Sequence, residues 1–274
     1  MVQGNLRGVG IAPAVTALDR LRELFVYRNL ILNLAARDLR LKYRRSLLGA
    51  AWSLLNPLIM MAIYFLIFGV FTRFVNLHQY WAFLLTGLLP WLFFANSLSS
   101  ATTVLTTNQS LVAKVYFPIE SLAISTVLAN FVNFLISLCV LLVVLAAAGR
   151  QFGVSLVLLP VVVLAELAMA TGMAMVFSAV TVYLRDLEHL IGLGLTALFY
   201  LTPILYPLTL AGKYSTVLRL NPITWYVEGY HQTLYWGKWP DVGLMSAMLV
   251  MSALSLIGGY LVFVRFRARI PEEV

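Results

Sequence analysis

Charge is what this 274-residue chain has least of: Asp, Glu, Lys and Arg make up 11% of it, where a soluble globular domain carries about a quarter. With 61% hydrophobic residues, that scarcity excludes an ordinary soluble fold and places the chain in a membrane. There is one cysteine, Cys139, inside an apolar run, so neither a disulfide framework nor cysteine-based metal spacing can be built. Histidine is almost as sparse. His189 stands beside Glu188, but His78 and His231 fall in segments expected on the other side of the membrane, which argues against a metal site. No G-x-x-x-x-G-K-S/T phosphate loop occurs, so the chain is not its own motor and any ATP would have to be handled by another subunit. The first apolar run begins near residue 47 behind a long charged leader, unlike a cleavable signal, and is expected to stay in the mature protein.

What the chain does have is long apolar runs. A spanning helix needs about 20 apolar residues, because the hydrocarbon layer is about 30 Å thick and each helical residue rises about 1.5 Å. Six segments are read as spans: Leu47 to Phe71, Trp81 to Thr103, Leu122 to Ala148, Leu156 to Tyr183, Leu190 to Tyr206 and Leu244 to Val264. The fifth is short and carries Pro203 and Pro207, so it is expected to end early and turn back. Six spans put both termini on one side, and that side then holds fourteen of the nineteen Lys and Arg residues. The positive-inside rule makes it the cytoplasm. The net charge of +8 is thus topogenic, with a share for anionic headgroups, and gives no support to nucleic-acid binding.

The expected fold is therefore an all-α integral membrane protein. It has a cytoplasmic leader over 1–46, a transmembrane region over 47–274, and an outside segment over about 207–241. In the leader, Asn33, Arg37, Arg40 and Arg44 form one helical stripe, with Leu32, Ala36, Leu39 and Tyr43 about 100° round the helix. Such a helix suits the membrane surface, guanidinium groups in the headgroup layer. Two readings fit it: a topology anchor, or a surface that meets a phosphate or a soluble partner, the second slightly favoured by the use of arginine over lysine.

Two inside loops join the middle spans. The first, TTNQSLVAKVYFPIE, carries Lys114, Tyr116 and Phe117 ahead of Pro118; the second, VYLRDLEHLIG, packs Arg185, Asp186, Glu188 and His189 together. Each reads either as a connector or, with the basic helix, as part of a docking platform. Within the spans the one clear ionisable group is Glu166, which either pairs with a neighbouring helix or lines a permeation path. A lone acid is a poor basis for ion coupling, which counts against a secondary transporter. Tyr64, Phe65, Trp91, Phe94, Phe199 and Tyr200 lie in their spans, where rings either pack or offer apolar faces to a sliding sugar chain. Outside, NPITWYVEGYHQTLYWGKWP is expected to form short helices dipping into the outer leaflet, stopped by Gly237 and Pro240.

The order of a basic surface helix, RDLRLKYRRSLLGAAWSLLNPL, KVYFP, YLRDLEH and LNPITWYVEGYHQTLYWGKWP resembles the membrane subunit of ABC exporters of polysaccharides, of the O-antigen and teichoic acid type, from about residue 25 onward. The resemblance implies a homodimer of six-span subunits in a bacterial cytoplasmic membrane, with two ATP-binding subunits that hold ATP and Mg, and no cofactor in this chain. It implies an interface helix over Leu30 to Arg45, with Arg37, Arg40, Arg44 and Arg45 receiving the pyrophosphate of a lipid-linked glycan. It makes Lys114, Tyr116, Phe117, Arg185, Asp186 and Glu188 parts of two coupling helices. Tyr64, Phe65, Trp91, Phe94, Glu166, Phe199 and Tyr200, chosen for their place in the spans, are the expected path residues, and by position the resemblance makes Trp225, Tyr226, Glu228, Tyr230 and Trp236 parts of an outer gate. Rival readings are a permease of the same family for a small drug or lipid, a membrane-embedded glycosyltransferase or phosphatase, and an ATP-independent channel.

Overall fold

The computed structural model describes residues 25–44, 49–72, 75, 77–114, 117–150, 152–267 and 270, and among them every regular element is helical. The elements are α1 (Arg28–Tyr43), α2 (Trp52–Tyr64, extended by a π-helical Phe65–Phe71), α3 (Tyr80–Thr107), α4 (Gln109–Lys114) and α5 (Glu120–Ala147). They continue with α6 (Leu159–Thr181), α7 (Leu187–Tyr200), α8 (Ser215–Leu218), α9 (Pro222–Tyr230, extended by a π-helical His231–Tyr235) and α10 (Val242–Arg267). Among the described residues five helices are long and apolar enough to cross a bilayer: α2, α3, α5, α6 with its preceding 3-10 turn, and α10. The expected fifth span is α7, whose 14 residues rise only about 21 Å. It stops at Tyr200, ahead of Pro203, as the missing N–H there requires. Of the two expected coupling helices, only α4 is a separate helix. Tyr183 to Asp186 form a tight turn, closed by the Leu184 and Leu187 amides on the Val180 and Leu184 carbonyls, both at 3.0 Å.

α3 is the centre of the molecule, with 78% of its most apolar stretch buried against 6% for α2, which lies on the periphery. One apolar cluster joins α3, α5, α6, α7 and α9. A second, at the end that carries α1, gathers Leu34, Leu105, Val112, Leu122, Met175 and Phe263. α1 sets Ile31, Leu34 and Ala35 inward and leaves Leu32 and Ala36 exposed.

Small residues bring α6 and α10 together. A Cβ on Gly172 would lie 2.1 Å from the Ser255 carbonyl oxygen, and one on Gly259 would lie 2.1 Å from the Gly172 oxygen, so the two backbones touch. Around this crossing the Ser255 hydroxyl donates to the Met169 carbonyl at 2.9 Å, and the Ser252 hydroxyl donates to the Ala165 carbonyl at 2.6 Å. In α2, Pro57 has no N–H for the Ser53 carbonyl four residues back, and the Ser137 hydroxyl of α5 supplies that oxygen at 3.2 Å.

α9 is anchored into this frame by its caps and buried rings. The Asn221 side chain accepts from the Ile223 amide at 3.0 Å and donates to the Thr202 hydroxyl at 2.9 Å. His231 is fully buried, its ring stacked on Phe83 at 3.9 Å and its Nε2–H donating to the Phe83 carbonyl at 3.1 Å. Gly87 makes the room: a Cβ there would sit 2.9 Å from Nε2. Burial pulls the imidazole down to about 3, against the smaller opposing effect of the Phe83 carbonyl.

Two outcomes are expected. Gly259→Ala should lower the thermal midpoint in detergent, an overpacking cost on the order of 1–3 kcal/mol, whereas Gly258→Ala, which meets nothing within 4 Å, should leave it nearly unchanged. Equal behaviour of the two would contradict the close crossing. Between the ordinary histidine value of 6.5 and about 3, the unfolded chain binds a proton at His231 that the folded chain does not. Acidification below pH 6.5 should therefore destabilise the protein by about 1.4 kcal/mol per pH unit from this group, and denaturation midpoints of a His231→Phe variant should lose that part of the slope.

Candidate functional site

Cavities flank α2 on both sides. The first lies between α2, α3 and α7, is about 340 Å³, and is lined by Met60, Tyr64, Trp91, Asn96, Thr196, Phe199 and Tyr200 among others. Its rings touch in series, Tyr64 to Phe199 at 5.4 Å and Phe199 to Trp91 at 5.6 Å. Four of the residues expected along a path thus meet here. The other three lie elsewhere: Phe65 packs against Tyr80 at 6.1 Å, Phe94 is fully buried in the core, and Glu166 is 1% exposed and accepts a 2.6 Å hydrogen bond from the Tyr230 hydroxyl. Of the two readings of Glu166, pairing with a neighbouring helix is the one observed.

On the other side of α2, α1, α2, α3 and α5 enclose a pair of adjoining polar cavities, about 310 and 390 Å³ in volume. Their amide and hydroxyl lining was not among the residues that sequence reasoning selected. The signal was available: Asn96, Ser100, Thr103 and Thr107 on α3, and Thr126, Asn130, Asn133 and Ser137 on α5, both recur at helical spacings of 4, 3 and 4 inside otherwise apolar spans.

The outer segment divides its expected gate residues between core and surface. Tyr226 and Tyr230 are fully buried, held by Ser252 at 2.6 Å and by Glu166. Trp225 donates its Nε1–H to the Arg219 carbonyl at 2.9 Å. Glu228 and Trp236 do face open space, in a cavity of about 470 Å³ shared with Gln232, Lys238, Trp239 and Asp241. Gln232 donates to Glu228 at 3.3 Å; burial pushes the Glu228 carboxyl up, and the Gln232 bond and Arg219 partly oppose it. Arg150 fastens the rim, its guanidinium lying 4.1 Å over the Tyr235 ring and bonding the Gln79 side chain at 3.1 Å.

At the α1 end, Arg37 is engaged, with Asp38 at 3.0 Å and with the Asn108 side chain at 3.1 Å, whereas Arg40 and Arg44 are exposed. Arg45 and Tyr116 lie outside the described residues, Lys114 closes α4, and Phe117 packs against the second apolar cluster. Arg185, Asp186 and Glu188 are all exposed on the turn before and the first turn of α7. Sequence reasoning overlooked Glu120, which is fully buried at the start of α5 and paired with Arg267 at 3.4 Å, tying the end of α10 to the start of α5.

Residues 29–235 match the model of the ABC-2 type transporter membrane family. The O-antigen export system permease protein RfbA of Myxococcus xanthus is 34% identical over 256 residues, 92% of this chain and 98% of that protein. A Klebsiella pneumoniae protein of the same name is 32% identical over 71% of this chain and 76% of its own length. The polysialic acid transport protein KpsM of Escherichia coli is 24% identical over 70% of this chain and 76% of its own. The chain, whose described regular structure is helical with five helices able to cross a bilayer, is matched along three quarters of its length and belongs to the ABC-2 type transporter family of membrane proteins.

Proposed function

We propose that the protein is the membrane subunit of an ATP-driven exporter that moves a lipid-linked polysaccharide across a bacterial cytoplasmic membrane. The observation that carries this reading is the likeness, over 92% of the chain, to a permease named for O-antigen export. The aromatic cleft supports it: Tyr64, Trp91, Phe199 and Tyr200 present ring faces at the edge of a lightly covered helix. Rings hold sugars by apolar contact without hydrogen bonds that would slow release, which suits a sliding chain. A second copy of the chain covers the exposed apolar faces of α2 and α7, where Leu58, Ile59, Ile63, Leu190, Leu193 and Tyr200 stand open, and two clefts then line one path.

ATP and Mg are bound by two copies of a separate ATP-binding subunit docked at the α1 end, on α4 and on the exposed Arg185, Asp186 and Glu188. Closure of those subunits pushes on both elements. Because α4 leads directly into α5, and Glu120 and Arg267 tie the start of α5 to α10, the push is delivered to the spans. Both termini are cytoplasmic in this arrangement. Arg40, Arg44 and Arg45 receive the pyrophosphate of the carrier lipid at the membrane surface, and Arg37, through Asp38 and Asn108, keeps α1 in register. The rim with Glu228, Trp236 and Trp239 is the outer exit.

Affinity purification from native membranes in mild detergent should recover a stoichiometric ATP-binding subunit whose hydrolysis responds to lipid-linked glycan; a partnerless homo-oligomer would overturn the reading. Reversing the charges with Arg185→Glu and Asp186→Arg should leave the partner bound but abolish stimulation of ATP hydrolysis by glycan, and normal stimulation would refute the docking role. Replacing Arg40 and Arg44 by Ala should cut surface glycan about tenfold or more at unchanged membrane abundance, since a hydrogen bond to a charged group contributes about 1.5–3 kcal/mol.

A further inference from the structure

The polar cavities behind α2 form one groove, because Lys42, Asn130 and Asn133 line both of them. α3 and α5 follow one another in opposite directions, so the stripes Asn96–Ser100–Thr103–Thr107 and Thr126–Asn130–Asn133–Ser137 run side by side. α2 adds Ser53, Asn56 and the exposed Trp52, and α1 adds Asp38 and Lys42 at the other end. From Thr107 to Asn96 the stripe rises about 17 Å along α3, roughly half the thickness of the hydrocarbon layer.

Amides at that depth need partners, since no water lies in the lipid to satisfy them. Asn130 donates its amide hydrogens to the Thr126 and Asn96 carbonyls at 3.2 and 3.4 Å, and its Oδ1 meets no other group among the described residues. The Asn56 and Asn96 side chains are exposed and have no hydrogen-bond partner there either. The groove is therefore built to be occupied by something polar. Its chemistry is narrow. Asp38 is already paired with Arg37, which leaves, among the described residues, Lys42 as the one cation on the lining and no unpaired carboxylate to hold a metal. Amides and hydroxyls, each able to donate and accept, match the vicinal hydroxyls of a sugar, an exposed indole offers a ring face, and a single ammonium suits a phosphate. Arg40 and Arg44 stand about half a turn round α1 from Lys42, so this site is separate from the arginine surface.

We propose that this groove is a lateral intramembrane binding site for the phosphate-linked sugar headgroup of a membrane-anchored lipid, the first sugars of the lipid-linked glycan, entering from the α1 end while the lipid tail stays in the bilayer. The amides of Asn56, Asn96, Asn130 and Asn133 hold sugar hydroxyls, and Lys42 takes over the phosphate after the arginine surface of α1 has received it. The identity of the glycan rests on the export function proposed above. An ordinary phospholipid head has related chemistry, and the test separates the two.

The experiment has two arms. In a Cys139→Ser background, Asn96→Cys, Ser100→Cys and Asn133→Cys are labelled in native membranes with a water-soluble maleimide, beside Val132→Cys and Leu135→Cys on the exposed apolar face of α5. Groove positions should label about tenfold faster than the α5 face, and the rate should drop in membranes that contain the lipid-linked glycan compared with membranes from cells that do not make it. Slow labelling throughout would overturn the groove as a wet site. Fast labelling indifferent to the glycan would assign it to ordinary phospholipid and overturn the sugar assignment. In the second arm, a double variant Asn96→Leu and Asn133→Leu, which only makes the spans more apolar, should insert normally and export about tenfold less glycan; unchanged export would overturn the proposal. If the unsubstituted chain itself fails to restore surface glycan to a strain lacking it, the export reading falls, a result distinct from restoration that the Asn variants leave intact.

Discussion

A carbonyl or amide left uncovered in hydrocarbon has no water to turn to, and that single constraint organises this chain at every level. It makes all described regular structure helical, and it also decides which helix faces meet. Where Pro57 deprives the Ser53 carbonyl of its donor, Ser137 of α5 is brought to it. Ser252 bridges α10 to α6 and to the α9 ring of Tyr226, and Glu166 finds its partner in Tyr230. These seams act where apolar attraction is weak, because lipid tails compete with leucine side chains on equal terms. Close backbone approach at Gly172 and Gly259 adds dispersion contacts that lipid cannot supply.

The seams are unevenly distributed, and the unevenness shapes what the molecule can do. α3, α5, α6, α9 and α10 are stitched by buried hydroxyls, rings and glycines. α2 rests on that block through little more than Ser137 and a row of ring contacts, and α7 ends after 14 residues. The cavities lie against these lightly held elements. α2 is a thin wall with aromatic residues on one side and amides on the other, and Asn96 borders both spaces. Displacement of α2 against α3 therefore alters both cavities at once. At the far end of the same block, Glu120 and Arg267 bind the start of α5 to the end of the last span.

Much of this was legible in the residues. Length and apolarity located the spans, Pro203 announced that the fifth segment would stop short, Asn221 ahead of Pro222 marked the start of α9, and the charged run from Arg185 to Glu188 was read as a surface. The aromatic cleft was read in part, through Tyr64, Trp91, Phe199 and Tyr200, while Phe94, Tyr226 and Tyr230 are core residues. The asparagines were passed over because each looks unremarkable alone; their 4, 3, 4 spacing gains meaning when α3 and α5 lie together. The partner of Glu166 lies 64 residues away on a different element, beyond the reach of any local pattern.

The division has one physical origin. In water, an apolar stripe on a helix reveals which face turns inward, because the opposite face must be polar. In a bilayer, residues facing lipid and residues facing the core are equally apolar, so the sequence by itself determined that the chain crosses the membrane, roughly where its apolar helices lie, and which end is basic. It did not determine how each span is rotated. That was decided by tertiary structure, through the few places where backbones touch at glycine, where a proline's orphaned carbonyl finds a hydroxyl, and where a buried acid finds a tyrosine. Those contacts turned some aromatic residues into packing, left others around a cleft, and lined up scattered amides along a single groove.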